Sequence, residues 1–90
     1  MTVDKDKIDI TVRFYSLFKD LAGCAEVSQS VPASSTVSDL QRALAARFPK
    51  LAPMQKSMLT AVGVEYQGRD YVLKAGDEVS LFPPVRKDAL

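Results

Sequence analysis

The stretch from Thr36 to Phe48 constrains the fold more than any other, because it is the one long amphipathic helix this chain can offer. Thr36, with Asp39 three positions on, can accept from the first free amides of a helix as a variant capping box, the aspartate serving as a shorter glutamate. Val37, Leu40, Leu44 and Phe48 then share one stripe, Gln41, Arg42 and Arg47 point elsewhere, and Pro49 ends the run. A helix with one apolar stripe must bury it against another layer. The sequence on either side offers strands for that layer.

Ile8, Ile10, Val12 and Phe14 alternate with Asp9, Thr11 and Arg13, the period-two pattern of a strand with one face on a core. Ser16 to Ala22 carries Leu17, Phe18 and Leu21 at helical spacing and stops at Gly23, which predicts a single helical turn. A second strand follows near Ala25–Val31, and Pro32 breaks it. Beyond the helix, Leu51 to Lys56 reads as irregular connection, with Pro53 opposing a long helix. Met58 to Tyr66 predicts a third strand. Residues 67–70 form a turn, Tyr71-Val72-Leu73 a short strand, 74–77 another turn, and Glu78–Phe82 the last strand.

The order is hairpin, helix, strand, short strand, strand. A mixed sheet with one main helix packed across it is an α+β roll, and by analogy this order is that of the β-grasp fold of ubiquitin. The expected core is Val12, Phe14, Leu40, Leu44, Val62, Val79 and Leu81. The chain divides into a charged leader at 1–7, one domain at 8–85 and a C-terminal tail at 86–90.

Ninety residues suit one such domain, and the 47% hydrophobic and 26% charged composition is globular. Twelve basic against eleven acidic residues give a net charge of +1, so no global field draws the chain to nucleic acid or an acidic membrane. The basic residues Arg42, Arg47, Lys50 and Lys56 read as a solvated face without interleaved base-stacking aromatics. No apolar run approaches a membrane span, and residues 1–7 lack a signal-peptide core, so a cytoplasmic location is expected.

The single cysteine, Cys24, excludes an internal disulfide and a CxxC motif, and the absence of histidine excludes a Ser-His-Asp triad or a Cys-His pair. Asp77 and Glu78 are neighbours at a strand entry and face opposite ways, a turn acid and a solvated strand acid rather than a catalytic pair. Gly63, Gly68 and Gly76 are isolated and make no phosphate loop. No metal site is expected, and neither is a cofactor bound by the chain itself.

Strand parity singles out three aromatic residues. If Val12 and Phe14 face the core, Tyr15 continues the outward side of Arg13. If Val79 and Leu81 face the core, Phe82 shares the outward side with Ser80. Tyr15 and Phe82, with Tyr66 as a third candidate beside its turn, are therefore expected to bind a partner, unless local twist or the tail covers them.

Two prolines directly after a core strand cannot donate to a ladder and eject the chain as a stiff extended tail. Joined to Leu73-Lys74-Ala75-Gly76-Asp77-Glu78-Val79, the segment Phe82-Pro83-Pro84-Val85 resembles the closing segment of the MoaD/ThiS family of ubiquitin-like sulfur carriers, which includes the small subunit of molybdopterin synthase. Arg13 to Gly23 resembles the family's first strand and turn of helix, and Ala61-Val62-Gly63 stands where the family commonly has Ala-Val-Asn. The resemblance covers Ile8 to Val85.

It implies a non-catalytic carrier subunit in molybdenum-cofactor biosynthesis, partnered by the large synthase subunit and by an adenylating enzyme that uses ATP. It also implies that Pro83, Pro84, Val85 and the terminal Leu90 enter a partner's channel. The family's terminal Gly-Gly falls at about Lys87 and Asp88 here, and no glycine follows Gly76. As they stand, these residues are expected to make a poor sulfur acceptor. The alternative reading is a ubiquitin-like protein-interaction module that performs no acyl or sulfur chemistry.

Overall fold

The computed structural model describes residues 7–55 and 57–83. Within them, β1 (Lys7–Phe14) and β2 (Glu26–Pro32) form an antiparallel hairpin around α1 (Leu17–Ala22). Next come α2 (Val37–Arg47), a 3₁₀ helix (Pro49–Met54), β3 (Leu59–Val62), β4 (Glu65–Tyr66) and β5 (Glu78–Phe82). The sheet order is β2-β1-β5-β3-β4, with β5 parallel to β1 and antiparallel to β3. This is the β-grasp roll expected from the element order.

The helix α2 starts as its sequence dictates. Asp39 N–H donates to Thr36 Oγ1 (3.2 Å), and Thr36 N–H donates to Asp39 Oδ2 (3.0 Å), so both halves of the capping box form. These bonds, then the nearby Arg42, hold the Asp39 carboxyl below its ordinary value of 3.8. Val37, Leu40 and Leu44 are fully buried against Ile10, Val12 and Phe14 of β1 and Val79 and Leu81 of β5. Phe48 caps the helix and meets Phe14 edge to face at 5.6 Å. α1 ends at Gly23, whose φ of 78° is the left-handed cap conformation.

Several expectations need correction. The run after Pro49 is a 3₁₀ helix rather than irregular connection, with Pro49 at its first turn and Leu51 buried beneath α1 and α2. Lys56 lies outside the described residues. The single strand expected over 58–66 is a hairpin, β3 and β4, closed by Gly63-Val64. Gly63 has φ 65° and Val64 a negative φ, the sign pattern of a type II′ turn, which suits the twist of a two-residue hairpin. Tyr71–Leu73 forms no strand, only a single bridge from Val72 to Thr36, because its backbone is spent on the start of α2: Val37 N–H donates to Tyr71 O (2.9 Å).

Two side chains also differ. Val62 packs on the core but is only half-buried, since it is the last residue before the hairpin turn. Gln41 does not point to solvent. It is 1% exposed on the inner face of α2, where its Nε2 donates to Thr60 Oγ1 of β3 (3.0 Å).

Candidate functional site

The sheet has two faces, and the helix covers one. Pairing fixes what lies on the other. Arg13 is opposite Ser80 and Glu26, and Leu59 is opposite Phe82, so these side chains project away from α2. Arg13 reaches Glu26 (3.6 Å) on one side and Glu78 (3.4 Å) on the other, a partly exposed charged cluster in the middle of this outer face. Ion pairs this exposed contribute little stability, roughly 0–1 kcal/mol each.

Beside that cluster the three expected aromatics come together. The chain leaves β1 at Tyr15, whose N–H still donates to Leu81 O (3.2 Å), so its ring lies alongside the end of β5. Tyr15 and Phe82 stack at 4.8 Å between centroids with 12° between planes. Tyr66, on β4, meets the same Phe82 ring edge to face at 6.1 Å. Tyr66 is 68% exposed and Tyr15 40%, while Phe82, held between them, is half-buried. Ser16, just after Tyr15, takes φ 54° and ψ −130°, a region L-residues avoid, and turns the chain sharply into α1.

Leu59 belongs to the same surface, directly opposite Phe82 and half-buried, and the sequence reading did not select it. The signal that finds it is the β3–β5 register, which depends on where the 58–66 run breaks. Pro83 follows β5 immediately and is half-buried. Pro84, Val85 and Leu90, the other residues assigned to the tail and its channel, lie outside the described residues.

The remaining candidates have ordinary structural partners. Asp77 Oδ2 accepts from Lys74 N–H (2.8 Å) in the turn before β5, while Glu78 pairs with Arg13, so the two acids do diverge. Cys24 is half-buried, with Sγ 3.9 Å from Ala22 O. Among the described residues no three of His, Cys, Asp or Glu gather as a metal site, and no helix is long and apolar enough to cross a membrane. What the described residues bring together is a cluster of aromatics on the outer face of the sheet, at the end of β5.

Residues 12–86, which include all of this surface, match the ThiS family. The chain belongs to the ThiS family. Among its relatives is the molybdopterin synthase sulfur carrier subunit of Arabidopsis thaliana, 23% identical over 82 residues that span 91% of this chain and 85% of that protein. SAMP1, small archaeal modifier protein 1 of Haloferax volcanii, superimposes with a TM-score of 0.78 at 25% identity, covering 86% of this chain and 96% of that one. A chain from the complex of subunits 1 and 2 of molybdopterin-converting factor of Helicobacter pylori superimposes with a TM-score of 0.59 at 25% identity, covering 88% and 97%. This ThiS-family member thus shares both its fold and most of its length with sulfur carriers and with a protein modifier.

Proposed function

We propose that this ThiS-family chain is the small, sulfur-carrier subunit of a molybdopterin synthase and works in the cytoplasm in molybdenum-cofactor biosynthesis. The domain docks on the large synthase subunit through Tyr15, Tyr66 and Phe82, and the tail beginning at Pro83 and Pro84 runs into that partner's channel. The same tail is presented to an adenylating enzyme that uses ATP, although Lys87 and Asp88, standing where the family has Gly-Gly, make it a poor substrate for activation. This chain binds no cofactor itself and supplies position rather than catalysis.

The observation that carries the reading is the Tyr15–Phe82 stack, with Tyr66 against it, at the C-terminal end of β5. An aromatic surface at the point where the tail leaves the sheet couples docking to tail insertion. The family membership and the molybdopterin synthase relatives support the choice of partner. Co-expression with the large subunit of molybdopterin synthase from the same source tests it. A stable complex on size-exclusion chromatography is expected, and two separately eluting proteins would refute the assignment.

The likeness to small archaeal modifier protein 1 favours a second reading, a ubiquitin-like interaction module without acyl or sulfur chemistry. The two readings part at the tail. The module binds its partner without becoming adenylated or thiolated there.

A further inference from the structure

We infer that Arg47, working with Gln29, holds the exposed edge of β2 closed against a second copy of this chain, and that releasing this clasp lets two copies join edge to edge in one continuous sheet. The inference is independent of the docking reading above, since β2 lies on the opposite side of the sheet from Tyr66 on β4.

β2 is the long edge of the sheet, seven residues against the two of β4. An edge of this length presents backbone N–H and C=O groups as a template for another strand. Pairing fixes which groups face out. Phe14 N–H donates to Ala25 O (2.9 Å), and bonded pairs alternate along an antiparallel ladder. Ala25, Val27, Gln29 and Val31 therefore bond to β1, while Glu26, Ser28 and Ser30 turn their backbone groups off the sheet. Side chains already occupy the two carbonyls in the middle of that edge. Arg47, in the last turn of α2, donates from Nη1 to Ser28 O (2.9 Å) and to Gln29 Oε1 (3.0 Å), and Gln29 Nε2 donates to Ser30 O (3.1 Å). The guanidinium also lies 5.2 Å from the centroid of the Phe48 ring, a cation–π contact that steadies it over the edge.

The edge fits a second copy of itself. A two-fold axis through Ser28 sets Ser28 of one copy against Ser28 of the other and Glu26 against Ser30, so every outward-facing residue meets another, as an antiparallel ladder requires. No like charges meet in that register, because Glu26 is the only charged residue of β2 and it faces a serine. A register centred on Ser30 instead brings in Pro32, which has no N–H and whose O already accepts from Ser35 N–H (3.1 Å). The Ser28-centred pairing needs Ser28 O and Ser30 O as acceptors, the two atoms that Arg47 and Gln29 hold. Clasp and pairing are therefore exclusive, and the guanidinium must give up its hydrogen bonds before a second strand can add.

Sedimentation equilibrium of the unaltered chain, Arg47→Met, Gln29→Leu, and each of these two variants combined with Ser28→Pro tests the inference. Methionine keeps an apolar stem over Phe48 but has no donor. Proline at Ser28 removes an outward N–H that β1 does not use, which an edge strand tolerates. Arg47→Met is expected to self-associate at least about tenfold more tightly than the unaltered chain. Gln29→Leu, which frees Ser30 O but leaves Arg47 on Ser28 O, should gain less, and the added proline should cancel either gain. Amide exchange at Ser28 and Ser30 should slow in the Arg47→Met dimer. Association of Arg47→Met no tighter than that of the unaltered chain overturns the inference. Tight association that survives Ser28→Pro also overturns it, by placing the contact elsewhere, as does an unaltered chain already paired through β2. If Arg47→Met does not fold, Gln29→Leu decides by the same comparison.

Discussion

The ring of Phe82 lies parallel to that of Tyr15 at 4.8 Å, although 66 residues of chain separate them, because β1 and β5 run side by side in the same direction. The stack joins the first strand of the hairpin to the strand that feeds the tail. Tyr15 remains exposed in this stack, and Phe82 is half-buried.

Truncating Phe82 removes the ring that both tyrosines touch. Phe82→Ala is expected to weaken binding of the large synthase subunit by about 2 kcal/mol or more, as for a central interface aromatic. Tyr66→Ala, at the more exposed margin, should cost less. Titration calorimetry of both variants measures the order, and a loss confined to Tyr66→Ala would place the centre of the interface elsewhere.

The capping box links local sequence to acid sensitivity. Thr36→Ala is expected to cost about 1 kcal/mol, visible as a fall of about 4–8 °C in thermal midpoint for a domain of this size. Because the folded Asp39 carboxyl titrates below its ordinary 3.8, its contribution is complete above that value, declines as pH falls through the lower folded value and is absent below both. Asp39→Asn should therefore be less stable than the unaltered chain at about pH 5, and the gap should close at about pH 2. Urea midpoints across that range decide it. A gap that widens in acid would contradict the depressed titration.

Much of this architecture was legible because periodicity and burial agree. The alternation over Ile8–Phe14 and the stripe of Val37, Leu40 and Leu44 fixed which faces pack, and strand parity then placed Tyr15 and Phe82 outside. Gln41 was misplaced by its polarity. It lies four residues after Val37 and three before Leu44, so helical geometry puts it on the buried face whatever its side chain. The β3–β4 hairpin was hidden because Gly63 sits inside an apolar run, where an isolated glycine reads as a blemish in a strand rather than the first position of a turn. Leu59 went unselected for the same reason, since its pairing with Phe82 depends on that hairpin's register.

Gly63 itself gives a conformational test. An added Cβ there would meet nothing within 4 Å, so any penalty is that of the positive φ alone. Gly63→Ala is expected to lose about 1 kcal/mol, and Gly63→Asn less, because asparagine tolerates positive φ better than other side chains do. Equal midpoints for Ala and Gly in chemical denaturation would remove the turn as the explanation of this glycine.

The last prediction concerns the tail. On the proposed reading the domain body supplies docking and only the end of the chain enters the activating site, where each Cβ would add bulk and limit the backbone angles open to the chain. Lys87 and Asp88, where the resemblance would put Gly-Gly, are therefore expected to hinder adenylation of a polypeptide ending in Leu90. Replacing the residues after Val85 with a short spacer and Gly-Gly should create or greatly improve thiocarboxylate formation while leaving docking unchanged. Both proteins are incubated with an adenylating enzyme, ATP and a sulfur donor, then weighed intact for exchange of one C-terminal oxygen for sulfur. Efficient conversion of the polypeptide ending in Leu90 would overturn the steric argument. Failure of both, with binding to the large subunit intact, would favour the interaction module over the carrier.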